Sequence, residues 1–251
     1  MMEIKNNFLS RGGTVILINK PMGWTSFDVV KKIRNILTPS LAFLSRQKPG
    51  QETGDEQSVR FKVGHAGTLD PLASGLLIIC TGRMTQKISE FQAQEKAYSG
   101  TFMLGATTPS YDLETEIREQ KDFSHITEKM IRDAAKQFTG KILQTAPLYS
   151  AKKIDGVRAY EIARRGGEAE MKPVEVSIHS FEIIKIDLPK ISFNVVCSKG
   201  TYIRSLANDF GKLLECGAYL SSLCRTRIGE YKLEDALTPE EFEKDFLAAD
   251  S

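Results

Sequence analysis

The sequence predicts an α+β fold, with a mixed and largely antiparallel sheet flanked by helices. Short apolar and β-branched runs predict buried strands, and the clearest are 14–18 and 76–80. Apolar residues at three- and four-residue spacing predict helices, above all over 127–138, which Gly140 closes. Because strands and helices intermix without the regular alternation of a parallel sheet, the pattern favours the α+β class.

The N-terminal part is predicted to contain a strand, a helix and a long loop. The strand 14–18 stops at turn-forming residues 19–23, and Ser26 is placed to cap a helix with apolar residues up to Leu37. From 38 to 60 the helical spacing gives way to Pro, Ser, Gln, Gly and acidic residues. We therefore expect a flexible insertion loop over 38–60.

Further elements are predicted along the rest of the chain. Regular structure is expected to resume at 61–63. Strands are expected at 76–80, 98–104, 174–186 and 191–197, and helices at 85–91, 127–138, 157–165 and 202–214. Thr238, Pro239 and Glu241 follow the order of a capping box and predict a last helix. Since no composition break divides 61–233, we expect a tail over 1–13, one domain over 14–233 and a short acidic helical end over 234–251.

The composition excludes several classes of protein. Hydrophobic residues make up 41% and charged residues 26%, which is ordinary for a globular protein and excludes wholesale disorder. The apolar run 76–80 is far shorter than the roughly 18–20 residues of a membrane span, and the N-terminus lacks the order of a signal peptide. The four cysteines contain no C-x-x-C pair, and the three histidines lie far apart. We expect a cytoplasmic protein without a metal or a membrane partner.

The charge is unevenly distributed along the chain. The net charge is +2, but residues 234–251 contain seven acidic residues and one basic residue, which leaves +8 for residues 1–233. A basic body of this kind is compatible with a polyanionic ligand such as nucleic acid. A mixed solvated surface is the alternative, and charge alone favours it.

The most unusual local sequence is the glycine-rich segment 64–77. Its glycines and Pro71 precede an apolar strand, and they specify a tight backbone path that presents His65 and Asp70. A carboxylate followed by proline is held in an extended or turn conformation, as a nucleophile or general base requires. In the structural alternative, Asp70 caps a turn and His65 is an ordinary loop histidine. The glycines do not form a phosphate-binding loop, since neither the pattern G-x-x-x-x-G-K-[ST] nor the pattern G-x-G-x-x-G is present.

This segment strongly resembles the signature of the bacterial tRNA pseudouridine synthase B family. Residues 19–26 resemble the family's K-P-x-G-x-x-S block, residues 147–164 its P-x-Y-S-A-x-K-x-x-G segment, and residues 198–204 its C-S-K-G-T-Y-I-R block. Four blocks in the same order argue against chance similarity. The resemblance implies a pseudouridine synthase fold and an enzyme that converts uridine to pseudouridine in the T loop of tRNA, at position 55, without a cofactor.

The resemblance also implies roles for individual residues. Asp70 matches the catalytic nucleophile, and Arg204 matches the arginine that pairs with it. The implied fold has a cleft that crosses the sheet near these two residues. Tyr98 matches the tyrosine that stacks on the target base. Three further matches are a pocket tyrosine, the histidine that fills the gap left by the flipped nucleotide, and, with less typical neighbours, a pocket leucine: Tyr202, His65 and Leu223.

General chemistry is consistent with these roles. An enzyme that acts on a paired or stacked base must first extrude it, and an aromatic face then stabilises the extruded base by stacking. A carboxylate can attack and later leave without a cofactor, and a nearby guanidinium keeps it ionised. Without the resemblance, Tyr98 and Tyr202 would be ordinary half-buried tyrosines and Arg204 a surface residue.

Basic residues interleaved with Tyr149 and Tyr160 predict contacts to the RNA backbone. The interleaved residues are Lys152, Lys153, Arg158, Arg164 and Arg165, and further candidates are Lys20, Lys199, Arg225 and Arg227. Four acidic residues within 155–170 dilute this face. We expect the protein to bind the T arm of tRNA. We also expect it to be a monomer without an obligate protein partner.

Two features depart from the family pattern. The segment 38–60 is longer and more polar than expected, and little chain follows the helix at Thr238, where many members carry a further RNA-binding module. We expect no full module here, and hence a weaker grip on tRNA with intact chemistry. Two other hypotheses stay open: an RNA-binding folding factor in which Asp70 is dispensable, and the same chemistry on a different RNA.

Overall fold

The computed structural model describes residues 13–46 and 62–248. The strands are β1 (Val15–Lys20), β2 (Val63–His65), β3 (Ser74–Thr81), β4 (Lys96–Leu104), β5 (Ala106–Thr107), β6 (Glu119–Gln120), β7 (Gly140–Gln144), β8 (Lys153–Ile154), β9 (Val157–Arg158), β10 (Val174–Asp187), β11 (Lys190–Cys197), β12 (Ala218–Ile228) and β13 (Tyr231–Lys232). The α-helices are α1 (Ser26–Arg46), α2 (Ile88–Ala93), α3 (Glu128–Gln137), α4 (Ala159–Arg164), α5 (Ile203–Leu213) and α6 (Pro239–Ala248). Short 3₁₀ helices span Gly82–Lys87 and Leu233–Asp235. Helices and mainly antiparallel strands intermix, which confirms the predicted α+β class.

The chain forms two compact units, and the first of them is discontinuous in sequence. The first unit contains residues up to Gln94 together with those from Arg225 onward, and the second contains Glu95–Cys224. The sequence predicts one domain over 14–233. It gives no sign of the two divisions, because neither of them falls in a linker rich in glycine, proline or serine. One division lies just before β4 and the other lies inside β12.

The first unit is built around β3. This strand pairs antiparallel with β1, from Val15 opposite Cys80 to Lys20 opposite Gly75, and it also pairs antiparallel with β2. Its side chains alternate between two cores. One core contains residues of α1 and α6, and the other contains Phe91 and Ile228. Since both faces of β3 are covered, a continuous apolar run is the sequence that this position requires.

Helix α1 is capped by Thr25, not by Ser26 as predicted. The backbone N–H of Asp28 donates to Thr25 Oγ1 (3.1 Å), and the backbone N–H of Thr25 donates to Asp28 Oδ2 (2.8 Å). This reciprocal pair satisfies two backbone donors in the manner of a capping box. The Ser26 hydroxyl is therefore available for another contact, which lies in the candidate site.

The same helix continues to Arg46, so the loop predicted from residue 38 is wrong for 38–46. The prediction gave more weight to Pro39 than to Leu41 and Leu44, which continue the helical spacing in the sequence. The remainder of the predicted loop, 47–60, lies outside the described residues, as does the tail 1–12.

The second unit contains an antiparallel sheet in the order β4–β11–β10–β7. Helices α3 and α5 contribute to its core, in which the ring of Phe102 lies 4.2 Å from that of Phe193 and 5.6 Å from that of Phe210, centroid to centroid. Phe210 belongs to α5, so this aromatic cluster fixes α5 against the sheet. The cluster thereby positions the residues at the start of α5.

Further differences from the predicted elements concern segments in which polar and apolar residues are mixed. The helix predicted over 157–165 is confirmed only for α4, because Val157–Arg158 pair with Lys153–Ile154 as a hairpin. Strands β7 and β12 were not predicted, since each mixes polar and apolar residues without clear alternation. The predicted capping box before α6 is confirmed by reciprocal hydrogen bonds of 2.8 and 3.1 Å between Thr238 and Glu241.

Candidate active site

The structure places Asp70 on a tight turn, residues 66–73, that connects β2 to β3; we call it the Asp70 turn. The Ala66 N–H donates to the Ile78 carbonyl (2.8 Å), and the Ala73 N–H donates to the Asp70 carbonyl (3.1 Å). Gly67 lies within this turn with φ +104°, in the left-handed region that favours glycine. The Asp70 residue is half-buried at the centre of the turn.

Residues before α1 and at its start hold this turn through its backbone. The buried Ser26 hydroxyl accepts from the Leu69 N–H (2.9 Å) and donates to the Leu69 carbonyl (3.2 Å). The Gly23 N–H donates to the Pro71 carbonyl (2.8 Å). The two residues that flank Asp70 are therefore each bonded to the 23–26 segment, which limits the movement of the carboxylate.

Lys20 is buried beside this turn with no exposed surface, so its predicted contact with an RNA phosphate is wrong. Its Nζ donates to the carbonyls of Trp24 (2.6 Å), Pro21 (3.0 Å) and Pro71 (3.4 Å). Burial lowers the pKa of the Lys20 amine to about 8, and the charge of Asp70 opposes that lowering. The side chain is thus a structural cation of the first unit.

His65 ends β2, opposite Ile79 of β3, and is half-buried. Burial lowers the pKa of its imidazole, so the ring is neutral at pH 7. A neutral ring suits a space-filling role beside bases better than a contact with phosphate. The role implied for His65 by the family resemblance stays a prediction.

Tyr98 lies on β4 of the second unit, opposite Val195 of β11. It is half-buried and packs against the second unit's core, so its ring is supported by rigid structure. Leu223, on β12, also packs against that core and is half-buried. Both side chains have the partial exposure that contact with a base requires, while their contacts with RNA stay predictions.

Tyr202 immediately precedes α5 and is held by a residue that the sequence analysis did not identify. The Tyr202 N–H donates to Gln144 Oε1 (2.7 Å), and Gln144 Nε2 donates to the Tyr202 carbonyl (3.1 Å). Gln144 is buried in β7. A glutamine in a short strand carries no sequence signal for this contact, because its partner is backbone.

Arg204 lies in the first turn of α5 and is only 3% exposed, unlike a typical surface arginine. Its Nη1 donates to the carbonyls of Tyr149 (2.9 Å) and Ser110 (3.3 Å). Its Nε lies 3.6 Å from Oδ2 of the buried Asp112, a second residue that the sequence analysis missed. The pairing of Arg204 with Asp70 stays a prediction, as do the catalytic roles of both residues.

The remaining basic candidates differ in exposure. Lys153, Arg158, Arg164, Arg165 and Lys199 are exposed, as a phosphate contact requires, and Lys152 and Arg227 are half-buried. Arg164 donates to Glu114 (2.8 Å) and lies 5.2 Å from the centre of the Tyr160 ring. Arg225, in contrast, is 2% exposed and donates to backbone carbonyls, so its predicted phosphate contact is wrong.

Two further findings concern ligands and membranes. Within residues 13–46 and 62–248, no cluster of three or more His, Cys, Asp or Glu side chains is arranged to hold a metal ion. Over those same residues, no helix combines the length and the apolar character needed to cross a membrane.

Comparison with known proteins gives a consistent result over most of the chain. A family model described as TruB family pseudouridylate synthase (N terminal domain) matches residues 56–203, and one described as tRNA pseudouridylate synthase B C-terminal domain matches residues 204–251. The tRNA pseudouridine synthase B of Flavobacterium johnsoniae is 51% identical, over 92% of this chain and 95% of that protein. The one from Bacteroides fragilis is 47% identical, over 92% of each.

Solved structures show a similar fold. A chain in the crystal structure of a Cbf5-Nop10-Gar1 complex matches with a TM-score of 0.64 and 27% identity, over 94% of this chain and 54% of that one. A chain in the archaeal box H/ACA sRNP Nop10-Cbf5 complex matches with a TM-score of 0.63 and 26% identity, over 98% and 56%. This chain thus spans about half the length of those two chains.

Proposed function

Because the chain belongs to the TruB family of pseudouridylate synthases, we propose that it isomerises a uridine of tRNA to pseudouridine, at position 55 in the T loop. The observation that carries the proposal is the Asp70 turn within a member of this family. A half-buried carboxylate on a backbone that is bonded on both sides has the fixed geometry that a nucleophile needs.

In the proposed reaction the target uridine first leaves the loop, because the reacting atoms of a stacked base are inaccessible. The Tyr98 ring receives the extruded base, and stacking of this kind contributes about 1–3 kcal/mol per base. Leu223 and Tyr202 line the pocket, and His65 occupies the space that the base has vacated. Exposed basic residues bind the phosphates of the T arm.

Asp70 then attacks either C1′ of the ribose or C6 of the uracil. The bond between N1 and C1′ breaks, the uracil rotates, and a bond forms between C5 and C1′. The bond to Asp70 breaks, the proton on C5 passes to solvent, and N1 gains a proton. The product is an isomer of the substrate, so no oxidant, reductant or cofactor is required. The family resemblance assigns to Arg204 the role of pairing with the attacking carboxylate.

The test is tritium release from unmodified tRNA labelled at C5 of uracil, with the wild type beside Asp70→Asn. We expect release by the wild type only, with the tRNA affinity of the variant within several-fold of wild type. Retained turnover in Asp70→Asn would remove the nucleophile assignment. Tight tRNA binding without release by either protein would favour the RNA-folding factor, which is otherwise not supported by the family.

The same proposal has consequences for assembly and location. All the residues named in the reaction come from one chain, so we propose that the enzyme acts as a monomer, which light scattering of the free protein and its tRNA complex will test. Because the proposed substrate is tRNA, we also propose a cytoplasmic location, which fractionation of the source cells will check.

A further inference from the structure

Arg225 of β12 connects the two ends of the segment that carries Asp70. Its Nε donates to the Leu76 carbonyl (2.8 Å), its Nη2 to the Gly67 carbonyl (3.1 Å) and its Nη1 to the Thr68 carbonyl (3.4 Å). Gly67 and Thr68 precede Asp70, whereas Leu76 follows it in β3. One guanidinium therefore ties the start of the Asp70 turn to the strand that continues from it.

Burial of the Arg225 guanidinium costs free energy unless its N–H groups are hydrogen-bonded. Arg225 is among the largest fully buried side chains of the described residues, and burying a charge is unfavourable without hydrogen-bonded partners. The three carbonyls supply those partners. Ser26 and Gly23 hold the next part of the turn, at Leu69 and Pro71. The backbone on both sides of Asp70 is thus bonded to residues outside the turn, at Thr68 and Leu69 before it and at Pro71 after it.

We propose that Arg225 is a positioning residue, which directs the Asp70 carboxylate through the backbone of the Asp70 turn and does not contact RNA. This inference rests on the proposed function, because it takes Asp70 as the nucleophile. It assigns to Arg225 an effect on the rate of the chemical step, and no effect on tRNA affinity.

The chemistry of the side chain explains why arginine occupies this position. A guanidinium is planar and presents five donors in a fixed fork, so it can reach three carbonyls on two segments at once. A lysine ammonium carries the same charge on a flexible stem and cannot reproduce this geometry. Arg225→Lys therefore keeps the charge and removes the geometry, whereas Arg225→Met removes both.

The experiment compares Arg225→Lys, Arg225→Met and Ser26→Ala with the wild type and with a control, Lys232→Met, which removes an exposed cation from the neighbouring strand β13. For each protein we measure kcat and KM for tritium release, the Kd for tRNA over a range of salt concentrations, and the thermal midpoint. Titration of each protein with tRNA gives the fraction that is folded and competent to bind.

We expect Arg225→Lys and Ser26→Ala to lower kcat by about ten- to a hundredfold per binding-competent protein, since a displacement of about 1 Å can have an effect of that size. Their KM and Kd are expected to stay within about twofold of wild type at every salt concentration. Loss of a phosphate contact would instead weaken tRNA binding and change its dependence on salt. Lys232→Met is expected to match the wild type. Arg225→Met should lose at least as much kcat as Arg225→Lys.

Two outcomes overturn the proposal. Unchanged kcat in Arg225→Lys would show that the guanidinium does not direct Asp70. A variant that binds tRNA more weakly, and whose plot of log Kd against log salt concentration has a slope smaller by about one, would show that Arg225 contacts a phosphate. Failure of the proposed function is distinguishable from both, because the wild type and Lys232→Met would then release no tritium.

Discussion

The Nε of Arg204 lies 3.6 Å from Oδ2 of Asp112, and both side chains are almost completely buried. The chain around Asp112 is itself tightly bonded. The Asp112 carbonyl accepts from the hydroxyls of Thr108 (2.7 Å) and Ser110 (3.2 Å), and its Oδ1 accepts from the Glu114 N–H (3.0 Å). Asp112 thus fixes the charged end of Arg204 within the second unit, independently of any contact that RNA supplies.

Replacement of Asp112 by alanine is expected to destabilise the protein by about 3–5 kcal/mol, because it removes a buried carboxylate that lies beside a buried guanidinium. Urea unfolding at pH 7 measures this change. Asp133→Asn is the control, since Asp133 pairs with the exposed Lys129 on the surface of α3. It should leave the unfolding midpoint unchanged. Equal midpoints for Asp112→Ala and the wild type would contradict a role for this pair in stability.

The buried amine of Lys20 predicts a rise in stability with pH. Its pKa is lowered by burial from 10.5 to about 8, with opposing effects of Asp70 and Asp28 and a further lowering by Arg225. Between about pH 8 and 10.5 the unfolded chain binds this proton and the folded chain does not. The free energy of unfolding should therefore increase with pH in that window.

The measurement for Lys20 is urea unfolding below pH 8 and at several values between 8 and 10.5, for the wild type and Lys20→Met. The difference in free energy between the two proteins isolates this proton from the other groups that titrate there. Lys232→Met is the control. Glu234 raises the pKa of the exposed Lys232, so the contribution of Lys232 to the free energy of unfolding should fall with pH and not rise. A difference between wild type and Lys20→Met that does not vary with pH would contradict the prediction.

The sequence predicts those parts of the fold that depend on local pattern. Apolar runs predict β1 and β3, and the capping box predicted before α6 is confirmed by the hydrogen bonds between Thr238 and Glu241. The extension of α1 was missed because proline outweighed the continuing apolar spacing. Local sequence patterns therefore predict a strand or a helix end correctly where the residues of that one element determine its structure.

The candidate site shows where sequence reasoning stops. Lys20 and Arg225 were grouped with the exposed basic residues because the sequence does not distinguish a buried cation from a solvated one. Their acceptors are backbone carbonyls, which every residue has, so the partners carry no sequence signal either. Gln144 and Asp112 were missed for a related reason, since each lies far along the chain from the residue that it holds.

The hydrogen bonds between Gln144 and the Tyr202 backbone predict a stability effect at the start of α5. Gln144→Leu keeps the apolar part of the side chain and leaves the Tyr202 N–H and carbonyl without these partners. We expect a loss of about 1–3 kcal/mol, which is typical when a partner is removed from a buried polar group. Urea unfolding measures it, with Gln120→Leu on exposed β6 as the control. Loss of equal size in the control would mean that the effect is not specific to this contact.

The half-buried ring of Tyr98 is expected to stack on the extruded base. Stacking of about 1–3 kcal/mol corresponds to a loss of about 5- to 150-fold in rate if Tyr98→Leu removes stacking alone. The resemblance to the family implies a larger loss, of several orders of magnitude, in which case the ring also affects the chemical step. Single-turnover tritium release from C5-labelled tRNA measures the loss, with Tyr98→Phe as the control because it keeps the ring and removes only the hydroxyl. Wild-type rates for Tyr98→Leu would exclude stacking on Tyr98. A defect of Tyr98→Phe equal to that of Tyr98→Leu would transfer the role from the ring to the hydroxyl.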